Sequence, residues 1–429
     1  MKDVINVGIV GFGVVGCGAY KILTDSAAMI EQKVGSKVVV KQIADPELDR
    51  PRPIDYDKSI AIPNGKDLVN NPEIDIVVEL IGGIHPANEL LMTAIQNGKH
   101  IVTANKELIA KKGHDLIVEA GNRKQDFYFE ASVGGGIPII RPMKLCLAGD
   151  RITEIKGIVN GTTNYILTRM AEDGKDYSEV IADAQAKGYA ERDPTNDVDG
   201  HDAAYKIAIL ASIGFTSRVD VSQVYREGIK NITQKDMAYA KELGYVIKLL
   251  AIAKEVDGAM QIRVHPTMLA KNHPLASVNN VNNAIYVTGE PVGNVMFYGP
   301  GAGADAAGSA VVGDIIDIAR NINFGSTGRI ACTCFEERAM QTMDNVRCKH
   351  YIRTQTSDKP GVLGTIANIL GENNVSLQAV MQKGTRDDGT AEVIWVTHEA
   401  PEPSVRKSLE TIQSLAVVSE VSNWIRVED

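Results

Sequence analysis

The chain has 429 residues, 44% of them hydrophobic and 23% charged, with a formal net charge of −9. That length exceeds one ordinary core and points to two or three domains with the balance of a soluble globular protein. The acidic excess argues against nucleic acid as a partner, and no apolar run is long enough to span a membrane.

The N-terminus enters a strand-like run at Val4 without a charged region, an apolar region and a small-residue cleavage site. A cytoplasmic protein with no secretory leader is expected. Five cysteines, Cys17, Cys146, Cys332, Cys334 and Cys348, form no CxxC pair. Cys332 and Cys334 have no histidine near them in the sequence, so free thiols are expected rather than zinc.

In chain order, Val4 to Val10, Lys37 to Ala44, Ile74 to Ile81 and His100 to Ala104 read as short strands. Helical runs at Val14 to Ile30 and Pro86 to Gln96 lie between them. This alternation predicts a parallel sheet covered on both faces. Strands are then expected over Phe127 to Glu130 and Ile152 to Val159, and helices over Asn164 to Ala171 and Tyr177 to Lys187. Asp199 to Ile213 reads as a largely buried helix. A Gly-rich segment, Tyr298 to Ala304, leads to a helix over Ala307 to Ala319, and Asn321 to Arg347 reads as a connector. From His350 the order becomes strand, helix from Pro360, strand at Val375 to Gln382, turn at Asp387-Asp388-Gly389. A strand at Ala391 to Thr397, a helix at Pro403 to Ser414 and a strand near Val417 to Ile425 complete a βαββαβ, ferredoxin-like pattern.

Gly11-Phe12-Gly13-Val14-Val15-Gly16 is a GxGxxG run between a strand and a helix. Its glycines permit a tight turn and close backbone approach, and the helix N-terminus presents N–H groups to a pyrophosphate. The second strand ends at Asp45, where an acid would hold the ribose of NAD. Arg50 and Arg52 would instead suit a 2′-phosphate, and Asp45 before Pro46 is equally a turn residue. NAD and NADP both remain open.

Thr103-Ala104-Asn105-Lys106 lies beyond a strand's C-terminal end, the edge where α/β sheets place ligands. The plain alternative for Lys106 is a solvated lysine opening a helix. Gly188 to Pro194 packs acids into a loop. Asp202 and Lys206 share one helix face, as surface ion pairs do. Their apolar surroundings leave few solvent-facing positions, so these charges need partners or a task.

Asn160-Gly161-Thr162-Thr163-Asn164-Tyr165-Ile166-Leu167, Gly188 to Glu191 and Gly200 to Lys206 together resemble the homoserine dehydrogenases, from the GxGxxG run to about residue 330. The resemblance implies interconversion of L-homoserine and L-aspartate 4-semialdehyde with NADP or NAD. It puts Glu191, Asp197 and Asp202 on the substrate, and Lys206 at the proton transfer with Lys106 as a second lysine. Gly11 to Gly16, Thr103, Lys106, Gly188 and Gly303 would lie along the cofactor. Glu130, Val133, Gly135 and Ile137 match a monovalent-cation site, built mostly from carbonyls and suited to sodium. Many relatives have a basic residue where Ala44 closes the second strand.

Asp358-Lys359-Pro360-Gly361, with the βαββαβ order, resembles an ACT domain. It implies an amino-acid effector, here threonine, or a purely structural role in dimerisation. The expected α/β layout is a Rossmann-type domain (1–128, with a helix near 307–320 returning to it) and an α+β catalytic and dimerisation domain (129–320). A linker (321–348) and an ACT domain (349–429) follow, in a homodimer or homotetramer. Two other readings compete. An aspartate-semialdehyde dehydrogenase-like enzyme needs a nucleophilic cysteine, and Cys146 reads as buried and inert. A regulator without turnover has no use for Lys106, Glu191, Asp202 and Lys206.

Overall fold

Six strands, Val4–Val10, Lys37–Ala44, Ala61–Ile62, Ile76–Glu79, His100–Thr103 and Phe127–Tyr128, pair in parallel. Their spatial order is 3-2-1-4-5-6, which reverses beside the first strand as in doubly wound dinucleotide folds. The strands are rich in Val and Ile because helices cover both faces. Ile5, Val7, Ile9 and Val78 join Leu23, Val311 and other helical residues in one buried cluster.

The computed structural model describes residues 2–385 and 389–428, so Asp387 and Asp388 of the expected turn lie outside the described residues. The chain forms two compact units. One comprises Met1–Val159, Tyr205–Ser222 and Asn282–Arg338, the other Asn160–Ala204, Gln223–Val281 and Ala339–Asp429.

In the first unit, the single helix expected over Val14 to Ile30 is two, Val14–Asp25 and Ala27–Val34, parted at Ser26. Thr24 Oγ1 bonds back to the carbonyl of Tyr20, and Thr-Asp-Ser is a run of side chains that compete with helical backbone bonds. Helix Ala304–Phe324 crosses Val14–Asp25 at two glycines. A Cβ on Gly18 would lie 2.1 Å from Ala304 O, and one on Gly308 2.8 Å from the carbonyl carbon of Gly18. Helical glycine costs about 1 kcal/mol relative to alanine; here it allows the two backbones to touch. The unit also holds an antiparallel sheet of Arg151–Ile158, Asn282–Glu290 and Gly293–Pro300.

The second unit is built on a hairpin, Tyr245–Val256 with Ala259–Ala270. Its turn, Asp257-Gly258, has φ of 52° and 78°, the left-handed pair that a two-residue hairpin requires. Strands Arg347–Ser357, Leu377–Thr385, Thr390–Thr397 and Val418–Glu428 form an antiparallel sheet in the order 4-1-3-2, with helices Val362–Glu372 and Glu402–Gln413. The first of these helices begins at Val362, not at Pro360, because Gly361 has φ 89°. A Cβ there would meet nothing within 4 Å, so this glycine serves a left-handed backbone and not a close approach.

The last strand pairs in parallel with Ala259–Ala270, Thr267 opposite Arg426. The C-terminal βαββαβ therefore continues the hairpin's sheet. Buried charge ties it further. Arg353 donates to Asp236 at 2.8 Å and to Glu392 at 3.2 Å, and Glu392 also accepts from Tyr239 and Lys235. Arg426 grips both oxygens of Glu227 at 3.0 Å and pairs with buried Glu402.

Removing Arg353 would leave the fully buried Asp236 without its cation. Arg353→Ala is expected to destabilise the second unit by about 3–5 kcal/mol. Both tryptophans, Trp395 and Trp424, lie in the βαββαβ module, so their fluorescence during urea unfolding reads this loss directly; a change below about 1 kcal/mol contradicts the assignment. Burial raises the Asp236 carboxyl, but Arg353, Thr233 and Asn423 outweigh it and hold the group below the ordinary carboxylate range. Its contribution is present above about pH 4 and disappears as pH falls through the lowered value.

Candidate active site

At Gly11, φ is 94° and a Cβ would lie 2.8 Å from the carbonyl of Leu80; at Gly16 one would lie 2.4 Å from Gly11 O, while Gly13 faces open space. The outer glycines are steric necessities, and the middle one leaves room for a ligand. Helix Val14–Asp25 begins without a side-chain cap, so its first N–H groups suit a phosphate. Phe12 is buried edge-on against Tyr20 and Tyr56, so its side chain faces the core and not the crevice. Val14 is exposed and Val15 packs on the core.

A crevice of about 660 Å³ opens beside this loop, lined by Gly11, Gly13, Asp45, Arg50, Arg52 and Lys66 among others. That is the size of a cofactor site. Asp45 is no loose turn residue. Its carboxylate accepts from Phe12 N at 2.7 Å and Glu47 N at 2.8 Å, and Arg52 lies 3.0 Å away. Burial raises its pKa, and these three partners together bring it below the usual carboxylate value. Arg52 is engaged by Asp45 and by Glu47 O, whereas Arg50 is exposed and paired with Glu47.

Lys106 is the first residue of helix Lys106–Asn122, capped by Asn105, whose side chain accepts from Leu108 N. Behind it, buried Glu79 accepts from Thr103 Oγ1 at 2.7 Å and from Ile81 N at 2.7 Å; Thr103 Oγ1 in turn accepts from Asn105 N at 3.0 Å. Asn105 donates to Gly83 O at 2.6 Å. Thr103 thus orients the start of the lysine helix. Lys206 is buried and donates to Val159 O at 2.7 Å. Gly303 has φ 120° and begins helix Ala304–Phe324.

In the second unit, Asn160 caps helix Gly161–Asp173 through Oδ1 and spends both hydrogens of its amide on two carboxylates, Asp197 at 2.6 Å and Asp202 at 2.8 Å. Asp202 is buried, while Glu191 is exposed and its carboxylate has no hydrogen-bond or ion-pair partner among the described residues. Gly188, φ 75°, follows helix Tyr177–Ala186 and stops it. Helix His201–Gly214 carries Asp202 in this unit and Lys206, one turn further along the chain, in the first.

Glu130 is buried and accepts from Ile139 N, Ile140 N and Arg141 N at 2.5–2.9 Å. Its own N–H donates to Asp314, which burial pushes up to about 8 although Arg141 lies 3.4 Å away. The Glu130 carboxylate is thus spent on a helix N-terminus. The carbonyls of Val133 and Gly135 accept no backbone hydrogen bond among the described residues. A Cβ on Gly135 would lie 2.4 Å from Gly301 O.

Residues 11–130 match the family described as homoserine dehydrogenase, NAD binding domain; residues 138–316 match homoserine dehydrogenase, and 350–416 match ACT domain. The homoserine dehydrogenase of Synechocystis sp. (strain PCC 6803) is 45% identical over 432 residues, covering 99% of each chain. The chain belongs to the homoserine dehydrogenases. It is an oxidoreductase of that family, with a nucleotide-binding domain and a C-terminal ACT domain. The crystal structure of a homoserine dehydrogenase from Thiobacillus denitrificans superposes with a TM-score of 0.93 at 38% identity, covering 99% of this chain and 98% of that one. A hyperthermophilic archaeal homoserine dehydrogenase in complex with NADPH, 28% identical, covers 73% of this chain and 97% of its own, with a TM-score of 0.63. Among the described residues no helix is long and apolar enough to cross a membrane.

Two readings from the sequence need correction. Cys146 is exposed, not buried, because it ends the irregular helical turn Pro142–Cys146 on its outer side. Cys332 does have a histidine nearby, His114 at 3.7 Å, brought by a helix far away in sequence. The residues that reasoning passed over are Asn160, Glu79, Gly18 and Gly308. Glu79, an acid ending an apolar strand, was a readable signal.

Asn160→Ala leaves Asp197 and Asp202 without their shared donor. A loss of about 1–3 kcal/mol in stability is expected, together with a higher KM for the amino-acid substrate. Unchanged values in thermal melting and steady-state kinetics would remove Asn160 from the site.

Proposed function

We propose that this chain oxidises the terminal hydroxyl of L-homoserine to L-aspartate 4-semialdehyde, and reduces the semialdehyde in the reverse direction. The nicotinamide ring takes or gives the hydride. One observation carries the reading: Asp202 and Lys206 stand one turn apart on helix His201–Gly214, about 6 Å along the axis. Homoserine separates its ammonium and hydroxyl by a similar span. Asp202, with Glu191 and Asp197, binds the ammonium. Lys206 takes the hydroxyl proton in oxidation and returns it in reduction, with Lys106 as the second lysine.

Asp45 is a fixed carboxylate at the end of the second strand, where a ribose hydroxyl would sit. A 2′-phosphate there meets this charge, and Arg52 is already paired with it. We infer a preference for NAD(H) over NADP(H). The carbonyls of Val133 and Gly135, with those of Glu130 and Ile137, suit sodium. Threonine is proposed as the ACT domain's effector, in a homodimer or homotetramer.

The deciding assay follows NADH and NADPH with L-homoserine, with and without threonine and sodium, on the intact chain. Removing residues after Arg347 would strip Asp236 of Arg353, so truncation tests folding before regulation. Lys206→Ala is expected to lower kcat by about 10²–10⁴-fold with cofactor affinity unchanged; near-normal turnover removes Lys206 from the proton transfer. Asp45→Asn is expected to move the NADP/NAD ratio of kcat/KM toward NADP by about tenfold or more, the equivalent of one modest charge–charge interaction. A shift in the other direction overturns the NAD(H) assignment.

A further inference from the structure

Ile109, Gly113 and Ile117 of the Lys106 helix and Ala208, Ile209 and Ile213 of the Lys206 helix border a second, smaller cavity of about 50 Å³. Lys111, His114, Lys144 and Arg218 line it, and its lining includes no acid. Cys332, Thr333 and Cys334 complete its wall. Cys332 Sγ lies 3.7 Å from His114 Nδ1, and Cys334 Sγ is anchored 3.5 Å from Ser212 O. Lys144 makes no hydrogen bond or ion pair among the described residues, and its ammonium lies 5.2 Å from the centre of the Phe129 ring. Thr333 Oγ1 is buried without a hydrogen-bond partner.

The other cysteines are different. Burial pushes the Cys17 thiol up and the Cys348 thiol up to about 12, which makes both poor nucleophiles. Cys146 is exposed, with no basic partner among the described residues. The neighbouring Cys334 side chain holds the Cys332 thiol below its ordinary value against burial, helped by the Cys334 N–H and His114. The neighbouring Cys332 side chain, and then burial, push Cys334 up, and its proton points to Ser212 O. One sulfur is primed as a thiolate beside another that keeps its proton. That is the arrangement of an attacking and a resolving thiol.

We propose that Cys332 and Cys334 are a reversible dithiol site for hydroperoxides. The Cys332 thiolate attacks the O–O bond and takes one oxygen as sulfenic acid; the other oxygen leaves with a proton as water or an alcohol. Cys334 then attacks the sulfenic sulfur, forming the S–S bond and releasing water. The peroxide is reduced by two electrons, and a dithiol reductant returns them to the pair. The lining cations favour the thiolate, and the two sulfurs need no distant segment to meet.

The test uses the full-length protein with stoichiometric hydrogen peroxide, alkylation of the remaining thiols, and trypsin. Cleavage after Arg329 and Arg338 isolates both cysteines in one peptide, Ile330 to Arg338. That peptide is expected to appear unalkylated and about 2 Da lighter, from loss of two hydrogens, and to do so about tenfold faster than Cys146 is oxidised. Dithiothreitol should restore two alkylation sites. Cys334→Ser should halt at a sulfenic acid on Cys332 that dimedone traps, and His114→Gln should slow the first step. The proposal fails if Cys146 reacts as fast as Cys332. It also fails if the peptide keeps both labels while peroxide is consumed. The unsubstituted chain alone supplies both outcomes, and neither depends on the dehydrogenase activity.

Discussion

Both amide hydrogens of Asn160 are committed to carboxylates, and its oxygen caps a helix. Two acids gathered at a buried position repel each other and lose hydration, so without a donor between them one would take up a proton or the segment would move. A neutral amide solves this without cancelling the charge. In the first unit, a neutral group likewise meets a buried charge: Lys206 donates to the Val159 carbonyl.

The parallel sheet was legible because short Val- and Ile-rich strands alternate with helices, and the GxGxxG run fixed where the crevice lies. The βαββαβ module was legible for the same reason, its elements being bounded by turns. The stretch between residues 214 and 297 was not read as strands, although Asp257-Gly258 between two long apolar runs is a strong hairpin signal. Strands Tyr245–Val256 and Ala259–Ala270 are buried along most of their length, so they lack the alternation that marks a half-exposed strand. The split at Ser26 turned on side-chain competition within a single turn, which periodicity does not register.

Within the site, sequence identifies residue types and neglects their partners. Glu191, Asp202, Lys106 and Lys206 were singled out, yet what orients them, Asn160, Glu79 and the Val159 carbonyl, belongs to other elements. Glu130 shows the converse. Its type suggests a cation ligand, but its carboxylate is saturated by three N–H groups, and only the backbone around it is left for an ion. For Asp45 the sequence left a ribose-holding acid and a turn residue equally open, and its bonds to Phe12 N and Arg52 come from elements that the local sequence does not name. Long-range contacts of this kind leave no periodic trace in the chain.

The ACT domain is joined to the second unit by more than its connector. Arg353 meets Asp236 on helix Gln234–Glu242; Gln234, at the start of that helix, donates to Met170 O at 2.8 Å on helix Gly161–Asp173. Asn160 caps that same helix and holds Asp197 and Asp202. An unbroken series of hydrogen bonds and helices therefore runs from the module's first strand to Asp197 and Asp202, all inside one compact unit. Buried ion pairs tolerate little stretching, because a small separation exposes each charge to the cost of being unpaired. Displacement of the module's first strand is thus passed on to helix Gln234–Glu242 rather than absorbed at Arg353. The compliant step is the neutral Gln234 amide, which donates to Met170 O and to Lys175 O just beyond helix Gly161–Asp173.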